Sequence, residues 1–214
     1  MLALLGAAPF AGALVARAGA TPLSSVPREK KSSRERIRER HFPNVVLTTH
    51  EGRKVRFYDD LLKDKIVLIN FMYVRCEGVC PGITANLAKL QKLLGNRLGR
   101  DIFMYSFTLK PEEDTPEVLR RYAEAFKVRK GWSFLTGAPA DMELLRRKLG
   151  FTDPDPARDQ DKSNHIGNVR YGNEALMIWA ACPGLSKASA IAEAIAWVDW
   201  PEAEKPAQAK GGQK

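Results

Sequence analysis

The chain has 214 residues, 44% of them hydrophobic, which suits one domain of ordinary size with tails. Its formal charge is +9, but much of the excess lies in residues 28–40. That run mixes both signs and holds no aromatic residue to stack on bases, so it reads as a basic tether drawn to anionic lipid and argues against a nucleic-acid partner.

The first element is apolar. Residues 2–15 are too short for a comfortable membrane span but suit the core of a secretory signal, and Ala18 and Ala20 offer the small residues of a cleavage site. The basic segment that ordinarily precedes such a core is missing, which points to a start further upstream. Export is therefore expected, with residues 1–20 as a signal peptide or retained anchor and residues 21–40 as a flexible tether. A domain is expected over 41–200 and a disordered tail over 201–214.

Within the domain, residues 44–48 and 54–57 read as a hairpin turning at Glu51-Gly52. Residues 66–73 are an almost unbroken apolar run, as expected of a strand buried on both faces. Pro81 suits the first turn of a helix that carries Ile83, Leu87, Leu90 and Leu94 to Gly95. A second buried strand follows at 102–108, and Asp114-Thr-Pro-Glu117 opens a helix. A strand is expected at 132–135, a helix at 142–149, a polar loop at 151–164, a strand at 166–171 and a last helix at 188–198. Strands alternating with helices give an α/β sheet covered on both faces, with its site in the loops beyond the strand ends.

Cys76 and Cys80 lie in such a loop. If the helix begins at Pro81, Cys80 is its N-cap and Cys76 sits one turn before it. There the helix dipole, free amides and the adjacent Arg75 all favour thiolate, and Glu77 partly offsets them. Gly78 lets the loop fold tightly. Two such sulfurs are able to exchange disulfides or bind a soft metal, and spacing alone does not separate these uses. The three cysteines are an odd count, which argues against a purely structural disulfide framework. Met72 and Met104 fall inside core strands and read as packing. Cys182 reads as a packed cysteine, with a resolving thiol or fourth ligand as the alternative.

The run Phe71-Met-Tyr-Val-Arg-Cys-Glu-Gly-Val-Cys-Pro81 resembles the Cys-x-x-x-Cys-Pro signature of the Sco/SenC family. The segment from Pro111 to Phe126, with its Asp114-Thr-Pro, and Trp132-Ser-Phe-Leu-Thr-Gly137 are similar to two further blocks of that family. The resemblance spans residues 42–198. It implies a thioredoxin-like fold, with a central mixed sheet flanked by helices and an N-terminal β-hairpin extension. It also implies an exported protein, periplasmic or membrane-anchored, that is a metallochaperone rather than an enzyme.

Its cargo would be a copper ion, held by the redox-active pair Cys76 and Cys80 and by a late histidine that matches His165. Two thiolates and an imidazole suit copper(I), while three ligands fall short of a closed zinc site. The partner would be the copper-site subunit of a respiratory oxidase or another exported thiol protein. His41 and His50 are expected in surface or turn roles. The stretch from Gly172 to Gly184 stands where the family has a hairpin and reads as its replacement. A thiol–disulfide oxidoreductase needing only Cys76 and Cys80, and a binding module with a structural disulfide, are the alternatives.

Overall fold

The computed structural model describes residues 31–161 and 167–199. The expected signal, the first part of the tether and the tail lie outside the described residues. A compact unit begins at Ser33.

Its first element is a helix, α1, at Ser33–His41, where the sequence reading placed flexible tether. The run has no apolar stripe, so periodicity gave no signal. Long-range polar contacts hold it instead. Arg34 reaches Glu174 and the Ala175 carbonyl, and the Arg38 guanidinium lies 4.8 Å from the centre of the Tyr58 ring.

Strands β1 (Val46–Thr49) and β2 (Lys54–Arg56) form the expected hairpin, followed by a π-helical turn at Phe57–Leu62. Next come β3 (Ile66–Met72), α2 (Cys80–Leu94) and β4 (Ile102–Thr108). Then follow α3 (Pro116–Ala125), β5 (Trp132–Gly137), α4 (Pro139–Lys148) and the short α5 (Pro156–Gln160). Strands β6 (Asn168–Asn173) and β7 (Ile178–Pro183) and helix α6 (Ala188–Ala196) complete the described chain.

The seven strands form one mixed sheet in the order β2-β1-β5-β4-β3-β6-β7. The central three, β3, β4 and β5, are parallel, and the flanking pairs are antiparallel. One face packs Ile66, Leu68 and Met72 against α2, α3 and α6 through Leu87, Leu119 and Ile191. The other packs Val67, Ile69 and Phe71 against the π-helical turn and α4 through Phe57, Leu62 and Leu145. All seven residues of β3 are buried, as its apolar run implied.

With both faces apolar, hydrophobicity does not fix the register of β3. A buried polar chain does. Trp132 Nε1 donates to Ser106 Oγ at 2.9 Å, and Ser106 donates to Asn70 Oδ1 at 2.7 Å, linking the three parallel strands. A one-residue slip of β3 would break the Ser106–Asn70 bond, and a slip of β5 the Trp132–Ser106 bond, in the interior, where an unmade hydrogen bond costs about 1–3 kcal/mol.

The stretch read as replacing a hairpin is itself a hairpin. Asn173 stands opposite Ile178, and a turn closes with Met177 at φ 56° and its N–H on the Glu174 carbonyl. Gly172 makes this pairing possible, because a Cβ there would lie 2.4 Å from the Trp179 ring.

Glu174, in that turn, is fully buried. It accepts bonds from Tyr58 Oη at 2.7 Å, Asp64 N at 3.0 Å and Arg34 at 3.3 Å, joining α1, the π-helical turn and the hairpin. Replacing Glu174 by Ala strands the tyrosine hydroxyl and the amide in the interior. Urea unfolding of Glu174→Ala is expected to show a loss of about 2–4 kcal/mol, with Glu174→Gln recovering part of it. An unchanged midpoint would show that this junction is held by other means.

Candidate metal and redox site

The site forms where β3 leaves the sheet. Residues 73–79 turn across the end of the parallel strands and enter α2, so the fold delivers the loop to the face where α/β sheets hold their ligands. Helix α2 begins at Cys80, with Pro81 in its first turn and Val79 at the N-cap position offering no side-chain bond. Cys80 is therefore inside the helix rather than its cap. The capping acceptor is the sulfur of Cys76, which receives the backbone N–H groups of Gly78 and Cys80.

Both thiols are free and buried, at 5% and 1% exposure, and they hydrogen-bond to each other. Their proton affinities split. Burial pushes the Cys76 thiol up, but bonds from the Cys80 thiol, the two amides and the Tyr73 hydroxyl outweigh it, so its pKa lies below the ordinary thiol value. Burial, and then the bond with Cys76, pushes Cys80 well above that value. The expectation that both sulfurs are lowered thus holds for Cys76 alone. Arg75 points to solvent, and hydrogen bonds rather than its charge lead among the effects that lower Cys76.

Residues that the sequence reading did not assign complete the pocket. The Tyr73 hydroxyl bonds to Cys76, and its own pKa is pushed up to about 12 by burial and by that bond. Lys110 lies over the Tyr73 ring at 4.7 Å and pairs with Glu113 at 3.3 Å. Tyr122 donates to Thr84 on α2 at 3.1 Å. The spacing of Tyr73, three residues before Cys76, was the available signal, but only the turn shows that its hydroxyl comes back to the sulfur.

Asp114, from the Asp-Thr-Pro block, is 2% exposed. It accepts from Val74 N at 3.1 Å and from Thr108 Oγ1 at 2.5 Å, bracing the base of the cysteine loop against the end of β4. The next residue, Thr115, caps α3 through a bond from Val118 N, within the block that the sequence marked as a helix start.

His165 lies outside the described residues. The chain leading toward it is firmly held. Arg146, 4% exposed, makes paired bonds to Asp159 at 2.5 and 2.6 Å and to Glu143 at 2.8 Å each, and also donates to the Phe151 carbonyl. Among the described residues no group of three or more His, Cys, Asp or Glu is placed to hold a metal. Two cysteine sulfurs already provide the soft part of a donor set, which fits a soft monovalent ion better than a hard one.

Cys182 lies on β7 opposite Val169, half-buried and packed against the core cluster that contains Cys76 and Cys80, with its pKa raised by burial. That is the packed role. Met72 and Met104 are core residues, as expected. His50 accepts from Phe134 N at 3.1 Å and serves the turn after β1, and His41 ends α1.

A family model described as SCO1/SenC matches residues 33–198. A SCO1 protein homolog from Bacillus subtilis (strain 168) is 36% identical over 88 residues, which is 41% of this chain and 44% of the relative. That match therefore spans less than half of the relative's length. Among solved structures, Bradyrhizobium japonicum ScoI with copper bound has a TM-score of 0.58 at 21% identity, covering 72% of this chain and 96% of that one. BsSco, described as a member of the Sco family of cytochrome c oxidase assembly proteins with a disulfide switch, has a TM-score of 0.58 at 24% identity, covering 72% and 90%. Both share the thioredoxin-like fold seen here.

Two outcomes check this geometry. In reduced protein, iodoacetamide followed by peptide mass mapping is expected to modify Cys76 well before Cys80, and the reverse order would overturn the assignment of Cys76 as the more acidic thiol. Burial raises the pKa of Asp114, while its bonds from Thr108 and Val74 oppose the rise. The proton is then held more tightly in the folded state than in the unfolded chain. The resulting stability is complete below the unfolded value of about 3.9 and is lost as pH rises through the raised folded value. Measured against Asp114→Asn, wild-type stability should therefore fall across that acid window and level off above it. A flat difference would remove the buried-carboxylate account.

Proposed function

The chain belongs to the SCO1/SenC family, and on that premise we propose that it is an exported copper-binding protein that assists assembly or redox maintenance of the copper site of a respiratory oxidase. Copper is its cargo, held by Cys76, Cys80 and His165. The observation that carries the reading is the meeting of two free, mutually hydrogen-bonded thiols at the amide-rich start of α2. Support comes from the copper bound by ScoI on the same fold and from the oxidase-assembly role stated for the family of BsSco.

The donor set suits the proposal. Copper(I) accepts low coordination by soft sulfur, and an added imidazole lets the site tolerate copper(II). The lowered Cys76 releases its proton readily, and the metal's charge then offsets the cost of ionising the more buried Cys80. The partner is a copper-site subunit of the oxidase or another exported thiol protein. Residues 1–20 serve as signal or anchor, residues 201–214 as a tail, and the domain faces the periplasm. Among the described residues no helix is long and apolar enough to cross a membrane.

A thiol–disulfide exchange role is the second reading, favoured by the split between the two thiols. A ready nucleophile at Cys76 beside a protonated, more buried Cys80 is the pairing that attack and resolution require.

Titration of the reduced full chain against a competing copper(I) chelator is expected to give one copper(I) per chain. His165→Ala should weaken binding by more than about tenfold while the far-UV spectrum is unchanged. Equal binding by wild type and His165→Ala, or binding by neither, would end the three-ligand reading. The potential of the Cys76–Cys80 couple then decides between exchange and a structural disulfide.

A further inference from the structure

On the sheet face opposite the thiols lies a cavity of about 320 Å³ that the proposed copper chemistry does not use. Its residues Phe42, Leu149 and Trp179 belong with the Val67–Phe71 core cluster, whereas Cys76 and Cys80 belong with the other. The walls are apolar, formed by Ile37 of α1, Phe42, Leu149, Met177, Trp179 and Ala180. Phe42 and Trp179 pack at 5.0 Å between ring centres. The only charged or titratable lining groups are His41, Lys148 and Arg170, and none of the lining residues is acidic.

Arg170 donates one bond, from Nη2 to the Gly150 carbonyl at 2.8 Å, and lies 5.5 Å from the centre of the Phe151 ring. This leaves other guanidinium N–H groups for a ligand, and burial lowers the pKa of Arg170. The indole N–H of Trp179 is buried with no hydrogen-bond partner among the described residues. Beside the cavity, Ile37 is 47% exposed, and helical spacing puts Arg40 and His41 on its side of α1. An apolar slot of ligand size, rimmed by basic side chains that meet no carboxylate among the described residues, is complementary to a molecule with an alkyl chain and an anionic head.

We propose that this cavity receives an acyl chain of an anionic membrane phospholipid, with Lys148, Arg170 and His41 facing its phosphate, so that the domain rests on the membrane through α1 and the β6–β7 hairpin. The membrane is the favoured source because the basic run at residues 28–40 continues into α1, whose Ile37 lines the cavity, and the apolar run at residues 2–15 precedes it in the chain. The thiols lie on the opposite face of the sheet, which leaves them open to a partner.

The test uses the full chain with phospholipid vesicles whose acyl chains carry bromine, a short-range quencher of tryptophan. The N-terminal apolar run is able to hold every variant on a vesicle, so the readout is local. It is the fluorescence of Trp179, taken as the difference between each protein and its Trp179→Phe counterpart. Brominated phosphatidylglycerol is expected to quench this signal and brominated phosphatidylcholine to leave it nearly unchanged. Lys148→Glu with Arg170→Gln should require at least about tenfold more phosphatidylglycerol. Leu149→Phe, which enlarges a wall residue of the cavity on the face away from the thiols and keeps the charges, should abolish quenching while the protein still binds copper(I) as wild type does. Equal quenching by the two lipids, or by wild type and Leu149→Phe, would overturn the proposal. Saturation by monomeric dodecanoate with no response to vesicles would overturn the membrane assignment.

Discussion

The buried chain from Trp132 through Ser106 to Asn70 sets where everything else falls. Apolar residues on both faces of β3 supply the driving force for burial but are indifferent to a shift by one residue. The polar chain removes that indifference, because any other alignment leaves an indole N–H or an amide without a partner in the interior. Once Asn70 is aligned with Ser106, Met72 ends the strand beside Thr108, and the turn to Cys76 begins at a defined height above the sheet.

From that point the site is assembled by the needs of the backbone. A helix start leaves several N–H groups without partners, and α2 has no capping side chain at Val79. The sulfur of Cys76 takes that place, so the same bonds that complete the helix also lower the proton affinity of the sulfur. Cys80, one turn deeper, is packed against the core and keeps its proton. Asp114 ties the loop to β4 and stands directly before the cap of α3, so the Asp-Thr-Pro block is both a helix start and a brace for the cysteines.

Much of this was legible in the sequence, and the exceptions share a cause. The β3 run, the proline in the first turn of α2 and the threonine cap of α3 are local signals, and the structure has them where local chemistry puts them. Helix α1 was missed because its stabilising groups, Glu174 and Tyr58, are far along the chain. The β6–β7 hairpin was missed because its turn uses Met177 at positive φ rather than glycine, and because Gly172 serves ring packing instead of a bend. The unequal roles of Cys76 and Cys80 depend on which sulfur meets the amides. A shift of one residue in the start of the helix decides that, and spacing does not reveal it.

The two sheet faces divide the labour of the molecule. The parallel strands end on the thiol loop, and helices α2, α3 and α6 bury its deeper cysteine. On the other face the π-helical turn, α4 and the aromatic side chains around Phe42 form a second core whose edge opens into a cationic cavity. Glu174 joins α1 to the hairpin at that edge, and β6 runs from there back to β3. The contacts of α1 thus lie at the sheet's flank, while the register of β3, and with it the start of the turn to Cys76, is fixed by bonds at the sheet's centre. On the proposed seating of the cavity on a membrane, that separation leaves the reactive loop away from the attached flank.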